Sequence, residues 1–121
     1  MSNKKLGSDF EQEVCEILAN KGYWAMKIPD DKNGQPFDII AGKDNQIFAI
    51  ECKTCDSRFF NISRIEVNQR YAFEAFGNAN NDYAYFVFKY NGKNYITNAD
   101  IILSQKTPID VTMLYVLEYY L

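Results

Sequence analysis

Two acids and a lysine stand near the middle of the chain at spacings that suit chemistry on a phosphate. Phe48-Ala49-Ile50-Glu51-Cys52-Lys53-Thr54 reads as a strand entering an apolar core. Side chains alternate along a strand, so Glu51 and Lys53 share one face while Ile50 and Cys52 share the other. Upstream, Phe37 to Ala41 reads as a second strand, joined to the first (Gln46 to Thr54) through Gly42-Lys43-Asp44-Asn45. If Asp44-Asn45 is a two-residue turn, Lys43 faces Gln46, and counting outward sets Asp38 directly across from Glu51 with Lys53 diagonal to it. Like charges in facing positions destabilise a sheet by roughly 0.2–1 kcal/mol, a cost that a cation between them removes. Carboxylates with a backbone carbonyl suit Mg²⁺, for which Mn²⁺ could substitute. Such an ion lowers the pKa of a water that can then attack phosphorus. A lysine beside it stabilises charge on the phosphate or orients the water.

Two helices must bring further groups to this place. Ser8-Asp9-Phe10-Glu11 matches a capping box and opens a helix to about Lys21, stopped by Gly22. At about 100° per residue, Phe10, Val14, Cys15, Ile17 and Leu18 form its apolar arc, with Glu11 near the centre. Glu11 either reaches back to Ser8 as part of the cap or is a third acid at the site. Ser63-Arg64-Ile65-Glu66 is a second capping box, opening a helix that runs to about Phe76 and ends at Gly77. Ile65, Ala72, Phe73 and Phe76 form its arc, with Gln69 inside. Gln69 is either a satisfied core amide or a group that orients a water or phosphate.

The remaining elements complete a sheet flanked by helices. Tyr23 to Ile28 is a short strand, Pro29 to Pro36 a polar loop, and Tyr83 to Tyr90 a strongly apolar strand. Asn91-Gly92 signals a hairpin turn into Asn94–Thr97. The tail, Val111 to Leu121, fits either helix or strand, with helix the favoured reading. The order αβββαββ plus tail gives an α/β (α+β) domain with a central mixed sheet. The chain's 121 residues suit a single domain over 1–121.

Composition narrows the chemistry. With no histidine in the sequence, Ser-His and Cys-His nucleophiles and a histidine general base are excluded. Three cysteines, an odd count, argue against a disulfide framework. Cys52-x-x-Cys55 has redox or zinc spacing, but zinc usually takes four ligands and only Cys15 remains, so reduced, partly buried thiols are expected. A net charge of −3 runs against a nucleic-acid partner, except that a bound cation offsets clustered site acids. No apolar run approaches membrane-spanning length, and no signal-peptide region follows Met1-Ser2-Asn3-Lys4-Lys5. A cytoplasmic address and no membrane partner are the default expectations.

Pro36-Phe37-Asp38, then twelve residues, then Glu51-Cys52-Lys53 resembles the motif of the PD-(D/E)xK nuclease superfamily. Its surroundings sharpen the likeness. Gly7-Ser8-Asp9-Phe10-Glu11, Lys21-Gly22-Tyr23, Phe37 to Gly42 and Ala49 to Lys53 resemble archaeal-type Holliday junction resolvases in order and spacing. Phe60-Asn61-Ile62 to Gln69, with Tyr83 to Val87, is also similar to the bacterial RecU-type resolvases. The resemblance covers about residues 5 to 97. It implies a restriction-endonuclease-like core and a homodimeric, Mg²⁺-dependent endonuclease that nicks a four-way DNA junction symmetrically. It also implies Glu11, Asp38 and Glu51 as acidic or metal-ligand positions, with the Cys52 carbonyl as a further ligand. Lys53 would be the catalytic lysine and Gln69 an accessory residue.

Lys4, Lys5, Lys27, Lys32 and Arg58 flank the site in sequence and could contact phosphate, or stand as ordinary solvated charges. Phe59-Phe60 either stacks on a base, joins a dimer contact or packs in the core. The aromatic content, 9 Tyr and 9 Phe, exceeds what a small core needs and points to a homodimer, with the tail Met113–Leu121 as one contact surface. Two other functions fit the same residues: a restriction- or repair-type endonuclease, and a non-catalytic DNA-binding module.

Overall fold

The computed structural model describes residues 3–29 and 35–121. In chain order the helices are α1 (Asn3–Asn20), α2 (Val67–Asn78), α3 (Ala99–Leu103) and α4 (Leu117–Tyr120). The strands are β1 (Trp24–Lys27), β2 (Ile39–Lys43), β3 (Gln46–Cys55), β4 (Phe59–Phe60), β5 (Tyr83–Tyr90), β6 (Lys93–Asn98), β7 (Ile109–Asp110) and β8 (Tyr115–Val116). Six of them form one sheet in the order β1-β2-β3-β5-β6-β8, and β4 pairs with β7 in a small second sheet. Only β3 and β5 run parallel. Their connection is the crossover that carries α2, as a parallel pair requires.

Each sheet face has its own core. On one, Phe10, Val14 and Leu18 of α1 pack on Ile39, Phe48, Ile50 and Val87. On the other, Phe73 and Phe76 of α2 pack with Phe37, Ala49, Phe86 and Phe88. Alternation along β3 therefore turns Ile50 and Cys52 toward α1, and Ala49, Glu51 and Lys53 toward α2.

The turn between β2 and β3 sets the register. Asp44 and Asn45 both adopt left-handed backbone, at φ 53° and 64°, the pairing demanded by the tight hairpin turn that matches strand twist. Lys43 consequently faces Gln46, and the ladder runs to Ile39 facing Ile50. One step further Asp38 falls opposite Glu51, as the spacing predicts.

Several boundaries differ from the sequence expectations. Ser8 is not a helix cap, because α1 begins at Asn3 and runs through it. The Lys5–Asp9 pair, 3.5 Å apart, supports this earlier start. The end of α1 is as expected. Gly22, at φ 91°, follows the last turn, with the N–H of Tyr23 bonded to Leu18 O and that of Gly22 to Ala19 O. Ser63 does not open α2 either. Asn61 caps a single 3-10 turn over Ile62–Arg64, Ile65 turns extended into the core, and Glu66 becomes the cap of α2. The tail is not one helix. It divides into a 3-10 turn over Val111–Met113, then β8 and the short α4. The polar loop expected over Pro29 to Pro36 falls mostly outside the described residues.

Candidate active site

Asp38 and Glu51 are buried side by side, at 6% and 3% exposure. The hairpin alone would leave two carboxylates in conflict, and the surrounding donors show how the chain tolerates them. Asp38 Oδ2 accepts the backbone N–H of Cys52 at 2.7 Å, and Asp38 Oδ1 accepts the Gln35 side-chain amide. Glu51 Oε2 accepts the Gln69 amide and lies 3.4 Å from Lys53 Nζ. Lys53 Nζ also donates to Gln69 Oε1 at 3.2 Å and to the Arg64 carbonyl at 3.4 Å. Burial first, and the adjacent Asp38 charge next, push the Glu51 carboxyl up to about 9, against partial relief from Lys53. Burial beside a second carboxylate thus favours one negative charge on this pair over two.

Glu11 approaches from the other side. It is half-buried on α1, and its charge adds to those of Asp38 and Glu51 in raising the Cys52 thiol, for which burial is the first cause. Among the described residues no three acidic or thiol side chains form a group that could hold an ion, so Asp38 and Glu51 stand as a pair and Glu11 as a neighbour across β3. Cys52 and Cys55 face opposite cores and are free thiols, which separates the two cysteines of the C-x-x-C spacing.

The cations are placed less centrally. Lys5 pairs with Asp9, and Lys27 donates to the Ser8 hydroxyl at 2.8 Å. Arg58 lies 2.9 Å from Asp110 and over the Phe59 ring at 4.9 Å. Lys32 and the side chain of Lys4 lie outside the described residues. Sequence reasoning missed two neighbours of the site. Gln35, in a loop without periodicity, gave no signal. Arg64 figured only as part of the Ser63 capping box, yet its carbonyl meets Lys53 and its guanidinium donates to Thr54 O at 2.9 Å. Its side chain also lines a groove of about 780 Å³ beyond the ends of β3 and β5.

Residues 2–113 match the profile of the archaeal Holliday junction resolvase (Hjc) family. The chain belongs to this family. A crossover junction endodeoxyribonuclease Hjc of Methanocaldococcus jannaschii is 29% identical over 93 residues, 76% of this chain and 65% of that protein. A crossover junction endodeoxyribonuclease Hje of Saccharolobus islandicus is 35% identical over 69 residues, 55% of this chain and 49% of that protein. The chain thus spans less than two thirds of the length of these curated relatives. The structure of Archaeoglobus fulgidus Hjc matches at a TM-score of 0.68 and 18% identity, covering 91% of this chain and 94% of that one. The bacterial homing endonuclease I-Ssp6803I matches at 0.55 and 17%, covering 90% and 75%. The fold is therefore shared with both of these structures.

Proposed function

We propose that this chain is a metal-dependent DNA endonuclease that resolves four-way junctions by paired symmetric nicks. The observation that carries this is the buried Asp38–Glu51 pair with Lys53 and Gln69 against it. Family membership and the names of the relatives support it.

The acid pair fits a divalent cation. Burial and the neighbouring Asp38 raise the Glu51 carboxyl, a conflict that a cation between the two would relieve, and both carboxylates offer oxygen ligands. Asp38, Glu51 and the Cys52 carbonyl would hold Mg²⁺, with Glu11 next in reach. In an extended residue N–H and C=O point the same way, and the Cys52 N–H points to Asp38. Bound there, the ion supplies a more acidic water and offsets charge on the phosphate.

The chain's own groups do the rest. Lys53, fixed by Glu51, Gln69 and the Arg64 carbonyl, presents its ammonium to the phosphate, where charge grows in the transition state. Gln69 holds Lys53 and Glu51 in one orientation. A junction has two strands to cut and each chain has one such site, so two copies related by a twofold axis are required. Exposed Met113, Tyr115 and Tyr119 supply apolar surface for that homodimer.

The test is cleavage of matched four-way junction, duplex and single-stranded DNA by the purified chain, with Mg²⁺ and with chelator. Paired nicks in the junction alone, abolished by chelator, are expected. Equal cutting of duplex would move the function to a general endonuclease, and no cutting with either Mg²⁺ or Mn²⁺ to a binding module. A monomeric mass at micromolar protein, with and without DNA, would remove the dimer.

A further inference from the structure

Phe59 and Phe60 are consecutive but have opposite fates. Phe60 is 1% exposed and packs on Phe88, whereas Phe59 is 52% exposed at the groove beyond β3. The exposed ring is firmly mounted. Its strand pairs with β7, the Phe59 N–H donates to Ser57 Oγ at 3.1 Å, and the Arg58 carbonyl accepts from Val111 N at 2.8 Å. Arg58, held by Asp110, lies over the ring. Arg64 connects this ring to the candidate site. Its carbonyl touches Lys53, and its guanidinium crosses the face of Phe60 at 5.2 Å and lines the same groove.

The groove beside Phe59 is mixed, with Ser57, Asn61 and Thr54 near it in the chain and Leu6 and Phe10 contributed by α1. Of its three acids, Asp9 is paired with Lys5 and Glu13 with Lys89, and Asp56 is the third. Phe59 is a half-exposed ring with the Arg58 guanidinium over it and Arg64 in the groove beside it, and such a charged setting does not suit an apolar protein surface. It suits one nucleobase with its phosphate, because every base has a face to stack and every nucleotide a charge to pair. Inside a duplex both faces of a base are stacked, whereas a branch point frees one.

We propose that Phe59 and Arg64 form a subsite for a nucleotide at the branch point, its base on Phe59 and its phosphate on Arg64. This rests on the junction-nuclease reading and adds to it a source of preference for branched over linear DNA.

The experiment uses the full chain in chelator with a four-way junction carrying 5-iododeoxyuridine at the branch point, irradiated and mapped by mass spectrometry. The crosslink is expected at Phe59. Phe59→Ala should weaken junction binding at least about fivefold, the effect of one lost stack, and raise KM more than it lowers kcat. Phe59→Trp should restore both, and linear duplex binding should not change. Arg64→Gln should reduce the salt dependence by about one phosphate contact. If the wild type binds and cuts junctions but Phe59→Ala does so equally well, the subsite is wrong and the nuclease reading stands. A wild type that neither binds nor cuts junctions overturns both.

Discussion

Gln69 meets Glu51 side chain to side chain across the gap between α2 and β3, its amide donating to Oε2. The carbonyl end of the same amide accepts from Lys53 Nζ at 3.2 Å and from the Glu66 backbone N–H at 2.9 Å. One residue thus closes the first turn of α2, as the third position of a capping box, and orients the acid and the base of the site. The start of the helix and the geometry of the site are coupled through a single side chain.

That coupling separates two substitutions. Gln69→Leu removes all three bonds, so it should cost about 1–2 kcal/mol of stability and lower cleavage about 10- to 100-fold. Gln69→Glu keeps an acceptor for Glu66 and Lys53 but places a third carboxylate against Glu51 and Asp38. Its melting temperature should fall in chelator at pH 8 and recover with Mg²⁺, while the Leu variant shows no comparable recovery. No response of the Glu variant to Mg²⁺ would count against the acid cluster as an ion site.

Glu51→Gln and Lys53→Ala address the chemistry. Each removes one electrostatic partner of the reacting phosphate, so junction cleavage should drop roughly 10²–10³-fold. Binding in chelator should survive, because phosphate contacts elsewhere supply most of the affinity. Rates and affinities are to be measured on the same folded preparations. Wild-type cleavage by both variants would reduce Glu51 and Lys53 to an ion pair at a strand end.

The pairing of Asp38 with Glu51 was legible because a short turn leaves few registers, and Asp44-Asn45 is a good left-handed pair. Strand alternation then placed Lys53 beside Glu51. The arc of Phe10, Val14 and Leu18 was legible for the same reason, a period sustained over several turns. Helix starts were not, because Ser8 and Ser63 imitate caps while the actual cap of α2, Glu66, is an unusual residue for the position. The tail's segments of two to four residues are too short for any period to show. Gln35 acts on Asp38 from an aperiodic loop, where only the folded chain reveals the contact.

Asn94 carries a structural prediction away from the site. It is buried at 4% exposure, and its amide donates to Glu13 Oε2 at 2.7 Å and Glu118 Oε1 at 3.2 Å, tying α1 and α4 to β6. Burial pushes the Glu13 carboxyl up, but hydrogen bonds from Lys89 and Asn94 outweigh it and hold the group below its usual range. Asn94→Leu leaves two acids without their shared donor and should destabilise the chain by about 1–3 kcal/mol. Urea unfolding at pH 7 checks this, and an unchanged midpoint would show the network to be dispensable.

The last prediction concerns pH. The Glu51 carboxyl, ordinarily near 4.5, sits at about 9 in the folded chain. Between those values the native state holds a proton that the unfolded state has lost. Stability in chelator should therefore fall as pH rises through this window, by at most about 1.4 kcal/mol per pH unit from this group, and the fall should level off above about pH 9. Glu51→Gln lacks the titrating group, so its stability should lack this component and exceed the wild type's at pH 8. A divalent ion competes with the same proton, so Mg²⁺ should stabilise the wild type more at pH 8 than at pH 6 and have little effect on Glu51→Gln. Thermal melts of both proteins from pH 5 to 10, in chelator and in Mg²⁺, measure all of these slopes. Parallel wild-type and Glu51→Gln curves in chelator would mean that Asp38 and Glu51 do not share a proton, and the case for a cation in its place would lose its electrostatic basis.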